Sequence, residues 1–465
     1  MPFDESERGG TPVPMGSCET VNTTTRILIA GITALLAVLP AAPPRGWAEE
    51  PAAPSRVLET AAIAPGEKLT VGRCVEIALQ NSPNILVASH TVDATRNRVG
   101  QASSAYYPQI SLTGSYTKGN TFLAWPSNTV SPLQDTYGWS AMLTQNIVDF
   151  GRTEAQVSMR RKDLIATRED FRDATGQIVF NVKRSYYSFL WAAKSRDVLK
   201  ETVALFEKKL YLAREFYEAG ERSRFDVTTA DVELTNARLE LVRAENVLRM
   251  ARVTLDNAMG VPDAPEYEIE DTLVFRKYPV TFEEARDRAF LNRPDIRSTV
   301  ARREAAEDAL SIARKGNFPT LSGSANFSRT SADYPPERDI WNVGLTLTIP
   351  FFSGFLTTHQ VGEAKENLNV NKAKEETIRQ NVILTVQQAY IKLMEAEERL
   401  GLAELTVKQA QENYDLALGR YEEGVGIALE ETNALVSLSK ARLNVITALA
   451  DYKIAEAELQ RAMGE

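Results

Sequence analysis

The sequence has little of what catalysis or covalent bracing requires. Of its 465 residues, two are cysteine and two are histidine. Cys18 and Cys74 cannot make a disulfide framework, and His90 and His359 leave little imidazole for acid–base work or metal ligation. Gly-rich phosphate loops, CxxC pairs and HExxH helices are missing. A basic surplus is missing too: the formal net charge of −9 argues against nucleic acid, which needs a positive face. Acidic residues are common, but on helical stretches they recur among Lys and Arg, the pattern of a solvated face. The expectation is therefore no enzyme, no cofactor and no metal. After the N-terminal segment, no apolar run reaches the roughly 18 residues that mark a membrane helix, so any membrane role has to come through strands.

What is present begins with an export signal. Arg26 precedes the apolar core Ile27–Leu39, followed by a Pro/Ala stretch ending Gly46-Trp47-Ala48. The core is too short for a bilayer, which needs about 20 residues. Residues 1–48 are expected to be a leader, with Met15 an alternative start to Met1. Residues 49–68, rich in Pro and Ala, are expected to be a flexible lead-in. Neither cysteine lies just after the apolar core, where a lipid-bearing one would sit.

The rest of the chain is written twice, as residues 69–279 and 280–465. Tyr217-Glu218-Ala219-Gly220 returns as Tyr421-Glu422-Glu423-Gly424, a spacing of 424 − 220 = 204. Met259-Gly260 returns as Met463-Gly464, and Asn81-Ser82-Pro83 as Asn292-Arg293-Pro294. An Asn or Ser ahead of each of these prolines is expected to cap a helix with its side-chain oxygen, with Pro in the first turn. Those helices are stopped by Pro108 and Pro319.

Next the hydrophobic period changes. Ile110, Leu112, Gly114 and Tyr116 alternate with hydroxyl residues, as do Tyr137, Trp139, Ala141 and Leu143, then Leu321, Gly323, Ala325 and Phe327, then Trp341, Val343, Leu345, Leu347 and Ile349. Four such runs match transmembrane β-strands, with Tyr116, Trp125, Tyr137, Trp139 and Trp341 as membrane-interface aromatics. A soluble antiparallel sheet with one wet face shows the same alternation; the export signal and flanking helices favour the membrane.

Gly151 and Gly354 open long helical patterns ending at the Gly220 and Gly424 turns, about 100 Å each at 1.5 Å per residue. A heptad seam runs through each: Val386, Leu393, Leu400, Val407, Tyr414 and Tyr421 in the second, Val182, Phe189, Val203, Leu210 and Tyr217 in the first. Each return helix is only about half as long, so two shorter helices stacked end to end are expected to match one long one. The expected fold class is α+β: a long antiparallel coiled-coil barrel of helices, with four strands per protomer contributed to a closed β-barrel. Closure is obligatory because a bare strand edge cannot sit in lipid, and it requires several copies.

This duplicated plan resembles the TolC family of outer-membrane efflux ducts. The residues that carry the likeness are the two Asn-x-Pro motifs, Tyr107-Pro108-Gln109-Ile110, Asp149-Phe150-Gly151-Arg152, Phe352-Ser353-Gly354 and the two Gly turns. The resemblance implies a homotrimer with a twelve-stranded barrel in outer-membrane lipid and a helical tunnel reaching into the periplasm. It further implies a periplasmic adaptor and an inner-membrane transporter of the RND or ABC type as partners. By the same resemblance, Gly220, Glu221, Gly424, Val425 and Gly426 form adaptor-contact tips, and Tyr421, Glu430, Asn433 and Asp226 form the pore gate. Two positions depart from the best-known pattern: Asn433 stands where an acid is expected and Gly426 where a basic residue is expected. Physically, acidic rings in a narrow mouth attract cations; Glu430 and Asp226 equally suit the first turn of a return helix, where acids favour the dipole. A periplasmic coiled-coil scaffold without a barrel is the alternative reading.

Overall fold

The computed structural model describes residues 63–120, 122–123, 129–130, 133–423 and 425–465. The expected leader, most of the lead-in, Trp125 and Gly424 lie outside the described residues. Within them the duplicated helices match exactly in length. The short helices α1 (Val71–Asn81) and α5 (Phe282–Asn292) have 11 residues each, and α2 (Pro83–Ser103) and α6 (Pro294–Arg314) have 21. The long helices α3 (Arg152–Glu218) and α7 (Leu356–Glu422) have 67, and the return helices α4 (Arg224–Met259) and α8 (Ala428–Met463) have 36.

Four strands form one antiparallel sheet in the order β2 (Gln109–Gly119), β5 (Gln134–Val148), β7 (Thr320–Ser331) and β8 (Arg338–Thr348). A two-residue pair, β3 (Phe122–Leu123) with β4 (Thr129–Val130), lies between β2 and β5 in the chain. The register sets Tyr116 opposite Tyr137 and Phe327 opposite Trp341, so the apolar residues of all four strands share one face. Among the described residues no helix covers either face of this sheet. Leu112, Leu345 and Leu347 remain exposed, unlike the core face of a soluble sheet. The two outer strands, β2 and β8, each present an unpaired edge.

The heptad seams are buried over most of their length. Ile178, Val182, Ala192, Val203, Phe206, Leu210 and Ala213 line α3, and Val382, Val386, Ala389, Leu393, Ala396, Leu400 and Tyr414 line α7. Around Ala403, Val407 and Ala410 the α7 seam loosens to half-buried.

Three expectations are corrected. Ser82 makes no capping hydrogen bond to α2, and Arg293 makes none to α6. What fixes these starts is a neighbour. A Cβ on Gly260 would lie 2.9 Å from the Asn81 carbonyl, and one on Gly464 would lie 2.9 Å from the Arg293 nitrogen. The Asn-x-Pro and Met-Gly motifs are thus two halves of one joint, where the end of a return helix abuts the junction of two short ones. The joint occurs once per repeat and stacks the half-length helices beside the long one. Second, residues 63–68 are not a flexible lead-in. Ile63 enters the core, and β1 (Lys68–Leu69) pairs in parallel with β6 (Glu268–Ile269), because Ile63 and Leu69 find apolar cover beside Tyr186 and Tyr267. Third, Gly151 and Gly354 are not equivalent. Each long helix starts after two left-handed residues, Phe150-Gly151 in one repeat and Gly354-Phe355 in the other, so the glycine has changed places within the same turn.

The joint yields a paired prediction. Gly260→Ala and Gly464→Ala force a side chain into both a left-handed backbone and a filled space, at about 2–5 kcal/mol each. Gly220→Ala has the same backbone, with φ +80, but nothing within 4 Å of the added methyl, so it costs only about 1–2 kcal/mol. Thermal unfolding of the purified variants ranks them; equal losses at all three would contradict the joint.

Candidate functional site: the mouth at the hairpin tips

Each long helix ends in a tight reversal. In the first, Gly220 takes φ +80, and the Glu221 nitrogen donates to the Phe216 carbonyl at 2.9 Å. In the second, the Val425 and Gly426 nitrogens donate to the Arg420 carbonyl at 3.1 and 2.8 Å. Gly426 is buried, and a Cβ there would lie 3.0 Å from the backbone of Arg420 and Tyr421. That contact accounts for the absence of a basic side chain at this position.

The positive charge comes instead from the other hairpin. Arg222, the duplicate of Gly426, donates to the Gly426 carbonyl at 3.2 Å and places its guanidinium 5.1 Å from the centre of the Tyr421 ring. Tyr421 is 1% exposed and meets Phe216 edge-on at 6.0 Å, whereas its duplicate Tyr217 is 46% exposed. Burial pushes the Tyr421 phenol up, with the Glu431 charge adding to the shift. Of the four expected gate residues, then, Tyr421 ties the two hairpins together within one chain. Asp226 closes a capping box with Ser223, its Oδ2 accepting from the Ser223 nitrogen at 3.3 Å and hydroxyl at 3.2 Å. Glu430 is exposed and lies 3.7 Å from Arg420 across its own turn. Asn433 is exposed one helical turn further along α8, on the same face as Glu430. Glu221 and Val425 are exposed at the tips.

Sequence reasoning missed the strongest contact here. Lys209 on α3 and Glu431 on α8 are 4% and 2% exposed, and their charged atoms lie 3.5 Å apart. Lys209 Nζ also donates to the Ala428 carbonyl at 3.1 Å and to the Thr432 hydroxyl. Burial pushes the Lys209 ammonium down and the Glu431 carboxyl up, and each charge restrains the other's shift. Burial thus disfavours both charged forms, and each partner's charge offsets part of that penalty for the other. Above this pair, Thr202 and Ser439 hydroxyls meet at 2.9 Å, and Trp191 Nε1 donates to Thr447 at 3.0 Å. The α3–α8 seam is therefore the bond between the repeats at the tip. Among the described residues no cluster of His, Cys, Asp and Glu could hold a metal.

This arrangement, an uncovered strand sheet joined to long paired hairpins, is matched among known proteins. The family described as outer membrane efflux protein matches residues 74–261 and 285–465, with its break at the connector between the repeats. The chain belongs to that family. The outer membrane efflux protein family supplies conduits and not enzymes, and it places the chain in the outer membrane with its helices in the periplasm. Relatives include the probable efflux pump outer membrane protein TtgC of Pseudomonas putida, 23% identical over 90% of this chain and 89% of that protein. The outer membrane protein TolC of Escherichia coli is 23% identical over 83% of this chain and 80% of its own. In structure, VceC from Vibrio cholerae superimposes with a TM-score of 0.73 at 18% identity, covering 85% of this chain and 96% of its own. These findings bear out the expected fold class and the channel-tunnel function of an outer membrane efflux protein.

The buried pair gives a test of the seam. Lys209→Met or Glu431→Gln alone strands one buried charge and should cost about 3–5 kcal/mol of local stability. Lys209→Met with Glu431→Leu should restore most of it. Hydrogen exchange of the first-turn amides of α8 reads the effect; unchanged protection in both single variants would show that the pair does not hold the tip.

Proposed function

We propose that three copies of this chain close into one duct, and that the duct receives cargo from an inner-membrane transporter of the RND or ABC type through a periplasmic adaptor. The observation that carries closure is the mismatch between the two repeats. Helix α6 lies between α3 and α7, whereas its duplicate α2 packs along α3 with no long helix on its other side among the described residues. Strands β5 and β7 pair across the repeats, whereas β8 and β2 have open edges. A second copy supplies both missing neighbours at once, and four strands from each of three copies give twelve. Applying the β5–β7 register one repeat further sets Leu345 opposite Tyr116 of the partner subunit.

In this reading Gly220, Glu221, Val425 and Gly426 present the adaptor-contact tips, with Gly424 between them outside the described residues. Glu430 and Asn433 narrow the mouth from one face of α8, while Tyr421, held by Arg222 and Phe216, keeps the hairpins closed within each copy. Asp226 serves its helix end. Tyr116, Tyr137, Trp139 and Trp341, all on the apolar face of the sheet, sit at the membrane interface.

Leu345→Cys combined with Tyr116→Cys should give a disulfide-linked ladder ending at three copies, seen on a non-reducing gel. Failure to crosslink beside efficient linking of a pair shifted by two residues would overturn the register. In planar bilayers, Arg222→Ala should raise single-channel conductance by loosening the contact between the two hairpin tips. Glu430→Ala should weaken block by multivalent cations; unchanged block would leave Glu430 with its helix-dipole role alone.

A further inference from the structure

The face of α2 that no long helix covers within one chain has its counterpart on α6, where the neighbour is present. Helix α6 meets α3 through a ladder of polar contacts. The Ser158 hydroxyl donates to Asp308 at 2.6 Å, and Lys162 pairs with Glu304. Asp170 accepts from the Ser298 hydroxyl at 2.6 Å and from Arg302. Ala166 and Ala301, at the level between, are both buried. In each of these contacts the acid meets a hydroxyl or a cation.

The repeat shift is 294 − 83 = 211 for the short helices and 356 − 152 = 204 for the long ones. Each contact therefore has a duplicate in which α7 of one copy meets α2 of the next. Ser158–Asp308 becomes Gly362–Asn97, and Asp170 with Ser298 and Arg302 becomes Lys374 with Val87 and Thr91. Lys162–Glu304 becomes Glu366–Asp93, two carboxylates where one chain has an ion pair. Ala166–Ala301 becomes Val370–His90, which puts an imidazole three residues from Asp93 on the same side of α2. In one chain His90 and Glu366 are exposed and Asp93 is half-buried. Arg96 donates to Asp93 Oδ1 at 2.6 Å and Asn369 donates to Glu366 Oε2 at 3.1 Å, so each carboxylate is held through one oxygen and keeps a second. Arg96 offsets only one of the two charges, and like charges brought together at a packed seam repel unless a cation joins them.

We propose that His90 and Asp93 of one copy, with Glu366 of the partner subunit, hold a divalent cation of the zinc class, one at each seam between copies. Imidazole and two carboxylates are a zinc-type donor set that leaves a position for water. A hard cation such as calcium takes oxygen ligands and would leave His90 unused. Among the described residues of one chain no such cluster exists, because its ligands are divided between two. The site rests on the closed ring proposed above, and its test separates the two.

The full-length protein in detergent is stripped with a chelator, titrated with zinc and followed by native mass spectrometry. Each closed oligomer should take up one zinc ion per copy, and zinc should raise the temperature at which it dissociates. His90→Ala and Glu366→Gln should each weaken uptake at least about tenfold. Glu366→Lys restores the polarity of Lys162–Glu304, so its oligomer should resist heat without zinc as well as the wild type does with it. Closed oligomers that take up no zinc, or take up as much in His90→Ala as in the wild type, overturn the site and leave the ring standing. Failure of both the wild type and Glu366→Lys to form a closed oligomer, with or without zinc, would instead contradict the ring and the site with it.

Discussion

A strand edge cannot be left unpaired in lipid, because no water is present to satisfy its N–H and C=O groups. The sheet here has two such edges, β2 and β8, and one chain cannot join them with four strands. Everything else in the chain is compatible with that constraint being met by copies. The duplication gives each molecule a left side and a right side that are versions of the same surface. The neighbour that α6 finds within the chain, and α2 lacks, shows what the next copy has to supply. In the proposed ring the helices follow the strands, since α3 and α7 continue directly from β5 and from the turn after β8.

Equal repeats would give equal seams, and at the tips they are not equal. Between repeats of one chain, Lys209, Glu431, Thr432, Arg222 and Tyr421 form a closed, partly charged contact. Their duplicates are Asn413, Val227, Thr228, Gly426 and Tyr217, a set without charge. In the closed duct proposed above, the seam inside each copy is therefore chemically distinct from the one between copies. A duct that opens at its tip has two kinds of contact to release, with different sensitivity to charge and salt.

Much of this was legible in the sequence because it depends on local rules. Period changes located the strands, Pro108 and Pro319 ended the helices, and the glycine turns marked the reversals. The two Asn-x-Pro motifs were legible too, but for a wrong reason: no cap forms at Ser82, and the motif is fixed by Gly260 packing onto it from some 180 residues away. The gate pattern was read by analogy, which did not name the contacts its residues make within one chain. Arg222 supplies from the first hairpin the charge that Gly426 cannot carry, and Tyr421 turns inward. Lys209 and Glu431 left no signal because each looks like one more solvated charge, 222 residues from its partner, until α3 and α8 are laid side by side. The left-handed Phe150 and Phe355 were hidden for a related reason: the adjacent glycine drew the assignment, and only the backbone shows which residue bears the strain.

The central claim is that the surfaces left open on one chain are completed by a fixed number of identical copies. Native mass spectrometry of the full-length protein released from detergent micelles tests it most directly. One species of three copies is predicted, with monomer appearing only under conditions that also lose the β-sheet signal in circular dichroism. A stable folded monomer, or a distribution of open oligomers without a closed size, would contradict it.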